Sequence, residues 1–70
     1  MEKAKKLLEK VERLIDENEY NTVKLNGISC SRSDLEILAM ILKYFLSYGN
    51  YGDYMIMGNI KEILSKNSLI

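Results

Sequence analysis

The sequence predicts one small, mainly helical α+β domain over residues 1–70. Three observations support this fold class: an amphipathic first segment, an Asn-Gly turn between two short alternating segments, and a long apolar run that follows helix-capping residues. The chain has 70 residues and no linker-like stretch, so we expect a single domain. A chain of this length buries only roughly 60% of the surface that its unfolded form exposes, and its stability margin is small.

Residues 2–18 are typical of an amphipathic helix. Apolar residues recur at steps of three and four, and charged residues occupy the opposite face. We expect Asn18 and Glu19 to end this helix. The apolar positions also fill two heptads, fewer than the three or four that indicate a coiled coil, so we expect the stripe to pack on its own domain. The stripe comprises Ala4, Leu7, Leu8, Val11, Leu14 and Ile15.

Residues 22–30 predict a short β-hairpin. Asn26 and Gly27 supply the two positive-φ residues of a type I′ turn, which is the strongest short-range hairpin signal. Folding the chain at this turn places four apolar side chains on one face of the ribbon, namely Val23, Leu25, Ile28 and Cys30. Because a two-stranded ribbon is marginal alone, this face must lie on the central helix or join a partner's strands.

The central helix is predicted over residues 33–48. The run from Leu35 to Leu46 contains only two polar side chains, Glu36 and Lys43, which lie seven residues apart and therefore nearly on one line of a helix. A helix that is apolar over so much of its circumference must be covered on several sides. The remainder of a short chain covers it incompletely, so we expect a homodimer.

Two alternative starts are available to the central helix. Ser33 and Glu36 have the spacing of a capping box, and Ser31 with Asp34 offers the same arrangement two residues earlier. Gly49 is expected to end the helix in a left-handed conformation.

The C-terminal helix is predicted over residues 54–66, with Asp53 as its cap. Its apolar stripe comprises Ile56, Ile60, Ile63 and Leu64. Alternatively, residues 55–57 are extended and the helix begins after an Asn59 cap. Residues 67–70 are expected to form a frayed tail, unless the apolar side chains at its end dock on the core.

The loop before this helix is the candidate binding site. Tyrosines recur there every three residues, separated by glycines, and tyrosine offers a large amphipathic contact area that is enriched at binding hot spots. The plainer alternative is that one or two rings cover the end of the core. Stacking on nucleic-acid bases is less favoured, since no Lys or Arg lies between Tyr44 and Ile60. The expected protein-binding residues are Tyr48, Asn50, Tyr51, Asp53 and Tyr54.

The composition argues against most enzyme classes. The chain has no histidine, which removes Ser–His–Asp and Cys–His nucleophilic sites, and its glycines do not match a phosphate-binding loop. One cysteine cannot build a zinc site. Cys30 is expected to be a small buried hydrophobe. We therefore expect no catalytic residues, no cofactor and no metal.

Charge and hydropathy suggest a cytoplasmic protein that does not contact the membrane. Ten basic residues balance ten acidic ones, which argues weakly against a nucleic-acid binder that relies on net charge. The longest apolar run falls short of the about 20 residues needed to cross a bilayer. The N-terminus shows no signal-peptide pattern, and one unpaired cysteine suits a reducing compartment.

The only basic concentration lies on the first helix and is interspersed with glutamates, which favours a solvated face over a phosphate-binding patch. It comprises Lys3, Lys5, Lys6, Lys10 and Arg13.

Residues 26–29 and 31–35, followed by an apolar helix, resemble the entry to the second helix of ribbon-helix-helix DNA-binding proteins. The resemblance covers about twenty residues. Its motifs are a Gly-hydrophobic-Ser turn and a Ser-Arg-Ser-acidic cap. It implies a dimeric DNA-binding regulator. The chain departs from that family because residues 1–16 are predicted to be helical where a strand is needed, so no binding residues are transferred.

The leading expectation is a small non-catalytic protein-protein interaction module that binds a larger protein through the tyrosine-rich loop. An inhibitor, adaptor or regulator fits this description, and the residue usage is typical of an AT-rich bacterial, phage or plasmid genome. The alternative is the dimeric DNA-binding regulator, which would use the lysine face of the first helix or the hairpin.

Overall fold

The computed structural model describes residues 2–18 and 21–70. In chain order, its elements are α1 (Glu2–Glu17), β1 (Val23–Leu25), β2 (Ile28–Cys30), α2 (Arg32–Tyr48) and α3 (Gly58–Lys66). This architecture confirms the mainly helical α+β class, with a two-stranded antiparallel hairpin between the two long helices. Glu19, expected at the end of the first helix, lies outside the described residues.

The hairpin has the predicted register. Val23 pairs with Cys30, and Leu25 pairs with Ile28 across the turn. Asn26 and its neighbouring glycine have φ angles of 54° and 82°, as a type I′ turn requires. The apolar face of the ribbon therefore points into the protein, as the alternation of side chains predicts.

The start of α2 is set by the earlier of the two possible caps. The Ser31 hydroxyl accepts a hydrogen bond from Asp34 N at 3.1 Å, and the Ser31 N–H donates to the Asp34 carboxylate at 3.0 Å. Ser33 is already inside the helix and exposed. At the other end, Gly49 has a φ of 77° and donates its N–H to Phe45 O at 2.8 Å, which closes the helix as predicted.

The predicted start of the last helix at residue 54 is wrong, because α3 begins at Gly58. Gly58 has a φ of 60°, outside the right-handed helical region, so the helical path cannot continue back towards Tyr54. Met57 before it is extended, which agrees with the alternative of an extended piece. Asn59 does not act as the cap, since its side chain donates to Ser29 O at 3.0 Å and ties α3 to β2.

The core lies where α1, the hairpin and α3 cover α2. The α1–α2 contact is the most extensive, and α3 packs on both β2 and α2. Within the described part of the chain, every buried side-chain nitrogen or oxygen has a hydrogen-bond partner. The buried hydrophobic residues are Ala4, Leu7, Val11, Leu25, Ile28, Cys30, Leu35, Leu38, Ala39, Ile41, Leu42, Ile60, Ile63 and Leu64.

Polar contacts also join the two long helices. Arg32 donates from Nη1 to Ile15 O at 3.0 Å, which satisfies a carbonyl at the end of α1. Further along α2, Lys43 Nζ lies 3.4 Å from a carboxylate oxygen of Glu12. None of the helices described is long and apolar enough to pass through a membrane.

The C-terminal tail is held rather than frayed. Leu69 donates its N–H to Leu64 O at 2.8 Å, and its side chain packs against the core. Ile70 remains half exposed. The tail thus reaches the underside of the loop that follows α2.

Candidate protein-binding site

Three tyrosine rings form one cluster at the surface where α2 meets the following loop, with the half-buried ring of Tyr44 between two exposed ones. The ring centroids of Tyr44 and Tyr48 are 4.5 Å apart, and those of Tyr44 and Tyr54 are 5.5 Å apart in an edge-to-face arrangement. Tyr48 is 67% exposed and Tyr54 38% exposed. Together with Asp53, these residues (Tyr44, Tyr48, Asp53, Tyr54) are called the tyrosine face below.

Helix periodicity and one glycine produce this cluster. Tyr44 and Tyr48 are four residues apart on α2, so their side chains lie on the same face. The Tyr54 ring reaches the same face because the backbone at Gly52 passes close to the Tyr44 ring. A Cβ at Gly52 would lie only 2.7 Å from the Tyr44 ring, and the φ of 58° there also favours glycine.

Tyr51 points the other way, towards the core. Its ring is stacked on that of Phe45, with centroids 4.6 Å apart and an interplanar angle of 13°. Its hydroxyl donates to Leu69 O at 3.1 Å. Burial raises the pKa of Tyr51 above its ordinary value, because the phenolate would be poorly solvated there. Tyr51 therefore anchors the loop from within.

The Asn50 side chain also holds the loop, through two hydrogen bonds. Its side-chain oxygen accepts a hydrogen bond from Gly52 N at 2.8 Å, and its amide nitrogen donates to Tyr48 O at 3.3 Å. This side-chain turn is a common use of asparagine in loops. The structure thus divides the five predicted binding residues. The side chains of Tyr51 and of Asn50, which is itself exposed, hold the loop, whereas Tyr48, Asp53 and Tyr54 present exposed side chains.

Asp53 gives the tyrosine face its charge. With Tyr44 and Tyr54 it lines an open concavity of about 360 Å³. It is the only charged residue between Lys43 and Lys61 in the sequence. The face therefore combines aromatic surface, phenolic hydroxyls and one carboxylate.

Tyr44 is not among the predicted binding residues, because it lies within the apolar run that predicts the central helix and not in the loop. The signal that identifies it is its spacing of four residues from Tyr48. Ile37 and Met40 on the same helix also belong to the apolar run, and they are 42% and 52% exposed.

A second concavity, of about 240 Å³, lies between α1, the hairpin turn and the end of α3. The described residues that line it include three lysines and no carboxylate. The lysines follow helical spacing, so they share one face of α1. The lining residues are Lys3, Lys6, Leu7, Lys10, Asn26 and Asn67.

Cys30 is fully buried on the apolar face of the hairpin. Burial, and to a lesser extent the Asp34 carboxylate, raises the pKa of the Cys30 thiol above its ordinary value. A protonated, inaccessible thiol is a poor nucleophile. Within residues 2–18 and 21–70, no group of three Cys, Asp or Glu side chains is placed to hold a metal ion.

In comparisons with protein-family models, curated proteins and solved structures, nothing matches this chain.

Proposed function

We propose that this chain is a small non-catalytic protein-binding module, acting as an inhibitor, adaptor or regulator, that docks on a larger protein through the tyrosine face. The observation that carries the proposal is the cluster in which the exposed rings of Tyr48 and Tyr54 both contact the half-buried ring of Tyr44. Exposed aromatic rings grouped in this way are typical of binding hot spots, which tyrosine, tryptophan and arginine dominate.

The loop behind the tyrosine face supports the proposal because contacts within the chain hold it in place. Tyr51 fixes it to Phe45 and Leu69, and Asn50 closes its turn. A surface that is held in its binding conformation loses less conformational entropy on association, so more of the contact energy appears as affinity. The sequence-predicted residues Asn50 and Tyr51 thus act by positioning the face.

The chemistry of the face indicates the surface of its partner. The rings of Tyr48 and Tyr54 suit an apolar pocket, and Asp53 suits a lysine or arginine at its rim. A basic side chain next to Asp53 would also lie against the Tyr54 ring and gain a cation–π contact. We therefore expect a partner with a shallow apolar groove bordered by basic residues.

Binding measurements on a purified target test this proposal. The tagged protein, used on a lysate of its native host, would identify the target, and affinities would then be measured for variants. We expect Tyr48→Ala and Tyr54→Ala each to weaken binding by about tenfold or more, which corresponds to about 1.4 kcal/mol. The control is Met57→Ala, which truncates a side chain that is 60% exposed outside the face.

The proposal fails if both tyrosine variants remain folded and bind the target as tightly as Met57→Ala does. Circular dichroism and thermal unfolding of each variant distinguish a lost contact from a lost fold. Tyr48 is suited to this test because its exposed ring contributes little to the core.

The alternative function is that of a dimeric DNA-binding regulator, and the lysine-lined concavity on α1 favours it. Lys3, Lys6 and Lys10 line this concavity without an intervening carboxylate, an arrangement suited to backbone phosphates. The hairpin is less suited, because β1 pairs with β2 of the same chain. In the ribbon-helix-helix proteins that the sequence resembles, the strand precedes the first helix.

A salt titration separates the two functions. Duplex DNA binding that weakens steeply as salt rises, and that Lys6→Ala and Lys10→Ala reduce, would support the alternative. No measurable DNA binding at low salt would remove it. The tyrosine-face variants should leave any such binding unchanged.

We also propose that the protein works in a reducing compartment such as the cytoplasm. The support is Cys30, an unpaired thiol that the fold uses as a buried apolar side chain.

A further inference from the structure

Helix α2 exposes an apolar seam on the side that faces away from the core. Ile37, Met40 and Tyr44 follow each other at steps of three and four residues, so they form one line along the helix. Ile37 is 42% and Met40 52% exposed, whereas Leu38 and Leu42 on the core side are fully buried. The seam continues the aromatic cluster towards the start of α2.

A charged pair borders one edge of the seam. Glu36 and Lys43 are seven residues apart, about two helical turns, and therefore lie on the same flank. Their side chains are 56% and 61% exposed. Each already has an intramolecular partner at the surface: Arg32 lies 3.9 Å from Glu36, and Glu12 lies 3.4 Å from Lys43. Such exposed pairs contribute little and can be shared with a second chain.

We propose that the occupant of this seam is a second copy of the chain. The two α2 helices pair in antiparallel orientation about a two-fold axis, with Glu36 of each copy facing the partner's Lys43. In this register, Ile37 of each copy lies against the partner's Met40, and Tyr44 lies against the small side chain of the partner's Ser33.

The orientation follows from symmetry. In an antiparallel pair, the two-fold axis places the Glu36/Lys43 flank of each helix on the same side of the interface. The two flanks run in opposite directions, so Glu36 of each copy lies opposite Lys43 of its partner. Two opposite-charge contacts then form at once. A parallel pair would place this flank against the other edge of the seam, where Asp34, Ile41 and Tyr48 supply no cation.

The small size of the seam limits the expected affinity of the dimer. One helix pair to which each copy contributes three seam residues is smaller than a standard interface of about 1,600 Å². We therefore expect a reversible dimer with a dissociation constant of about 1 μM. Asp53 and Tyr54 lie on the loop that follows α2, outside the seam, whereas Tyr44 is shared between the seam and the tyrosine face.

Charge-reversal variants test the proposed pairing. In Glu36→Lys, two lysines face each other across the axis, and in Lys43→Glu, two carboxylates do so. We expect each variant alone to dissociate at least tenfold more readily than the wild type, as measured by sedimentation velocity from about 0.1 μM to about 100 μM. An equimolar mixture of the two variants should recover the wild-type affinity, since every contact in the mixed dimer again joins opposite charges.

Replacing an apolar side chain with a polar, uncharged one tests the apolar part of the same seam. Met40→Gln should raise the dissociation constant, whereas Met57→Gln, a control on an exposed methionine outside the seam, should leave it unchanged. Circular dichroism of every variant establishes that it is folded.

The proposal is overturned if the wild type sediments as a monomer throughout this range. It is also overturned if the mixture of Glu36→Lys and Lys43→Glu associates no better than its components. A stable dimer that is insensitive to these charges would place the interface elsewhere, and a monomer would leave the seam to the target of the tyrosine face. None of these measurements requires that target.

Discussion

The rings of Phe45 and Tyr51 lie stacked at 4.6 Å, and the Tyr51 hydroxyl donates to Leu69 O on the opposite side of the loop. Tyr51 thus joins α2, the loop that carries the tyrosine face, and the C-terminal tail. Sequence spacing groups it with Tyr48 and Tyr54, but its contacts are those of a core residue.

We predict that Tyr51→Ala lowers the free energy of unfolding by about 2 kcal/mol, because it removes a packed ring and leaves a cavity. Tyr51→Phe should cost about 1 kcal/mol, the usual value of one hydrogen bond. Urea unfolding measures both. Tyr48→Ala is the matched control, since an exposed ring should change stability by less than about 0.5 kcal/mol. Equal losses at the two positions would contradict this assignment.

The raised pKa of Tyr51 predicts a pH dependence of stability. Because the folded state holds Tyr51 protonated to a higher pH than the unfolded chain does, the unfolded state releases this proton first, and stability falls as the pH rises above about 10. Below that pH the contribution is fully present. Thermal unfolding of the wild type and Tyr51→Phe from pH 8 to about pH 11 compares the two. The decline should be steeper in the wild type, and parallel curves would show that Tyr51 is not responsible.

Alanine variants of two glycines with almost the same backbone conformation distinguish the effect of backbone strain from that of a steric clash. Gly52 and Gly58 have φ angles of 58° and 60°, but only a Cβ at Gly52 would meet another group, the Tyr44 ring at 2.7 Å. We expect both alanine variants to lose about 1 kcal/mol from the left-handed backbone. Only Gly52→Ala should displace the Tyr44 ring.

The measurement is the aromatic chemical shifts of Tyr44, Tyr48 and Tyr54 in each glycine variant. We expect large shift changes at all three rings in Gly52→Ala and small ones in Gly58→Ala. If the two spectra change alike, Gly52 is not what brings the loop against α2.

The capping residues of α2 supply another matched pair. Ser31 accepts the hydrogen bond from Asp34 N, whereas Ser33 is exposed within the first turn. Ser31→Ala should lower the free energy of unfolding by about 1 kcal/mol, and Ser33→Ala should change it little, since alanine is the better helix former. Denaturant midpoints of the two variants decide between the caps, and a larger loss for Ser33→Ala would reverse the assignment.

The parts of the fold that depend on local chemistry were predictable from the sequence. Asn26 and Gly27 determine the hairpin register through their own backbone preferences, and Gly49 ends α2 in the same way. The start of α3 was not predictable at this level, because Asp53 and Asn59 are both plausible caps and neither performs that role. Asn59 instead bonds to β2, a contact between residues thirty positions apart.

The candidate site, too, could be predicted only in part, because some of it depends on contacts between residues distant in sequence. Composition and spacing identify a tyrosine-rich loop, but they do not determine which ring faces inward. That choice depends on where Phe45 and Leu69 lie in the folded chain, which is a tertiary property. Tyr44 could have been included from its spacing to Tyr48, whereas the exposure of Met40 depends on how far α1 covers α2.

The two-residue turn at Asn26 also has a kinetic consequence. Closing so short a loop costs little entropy, and isolated hairpins form in about 1–10 μs. The reversal of direction between α1 and α2 can therefore be in place before those helices find each other. We expect refolding to follow a single fast exponential, and replacing Asn26 by a β-branched residue to slow it, since the ribbon would then no longer guide the meeting of the helices.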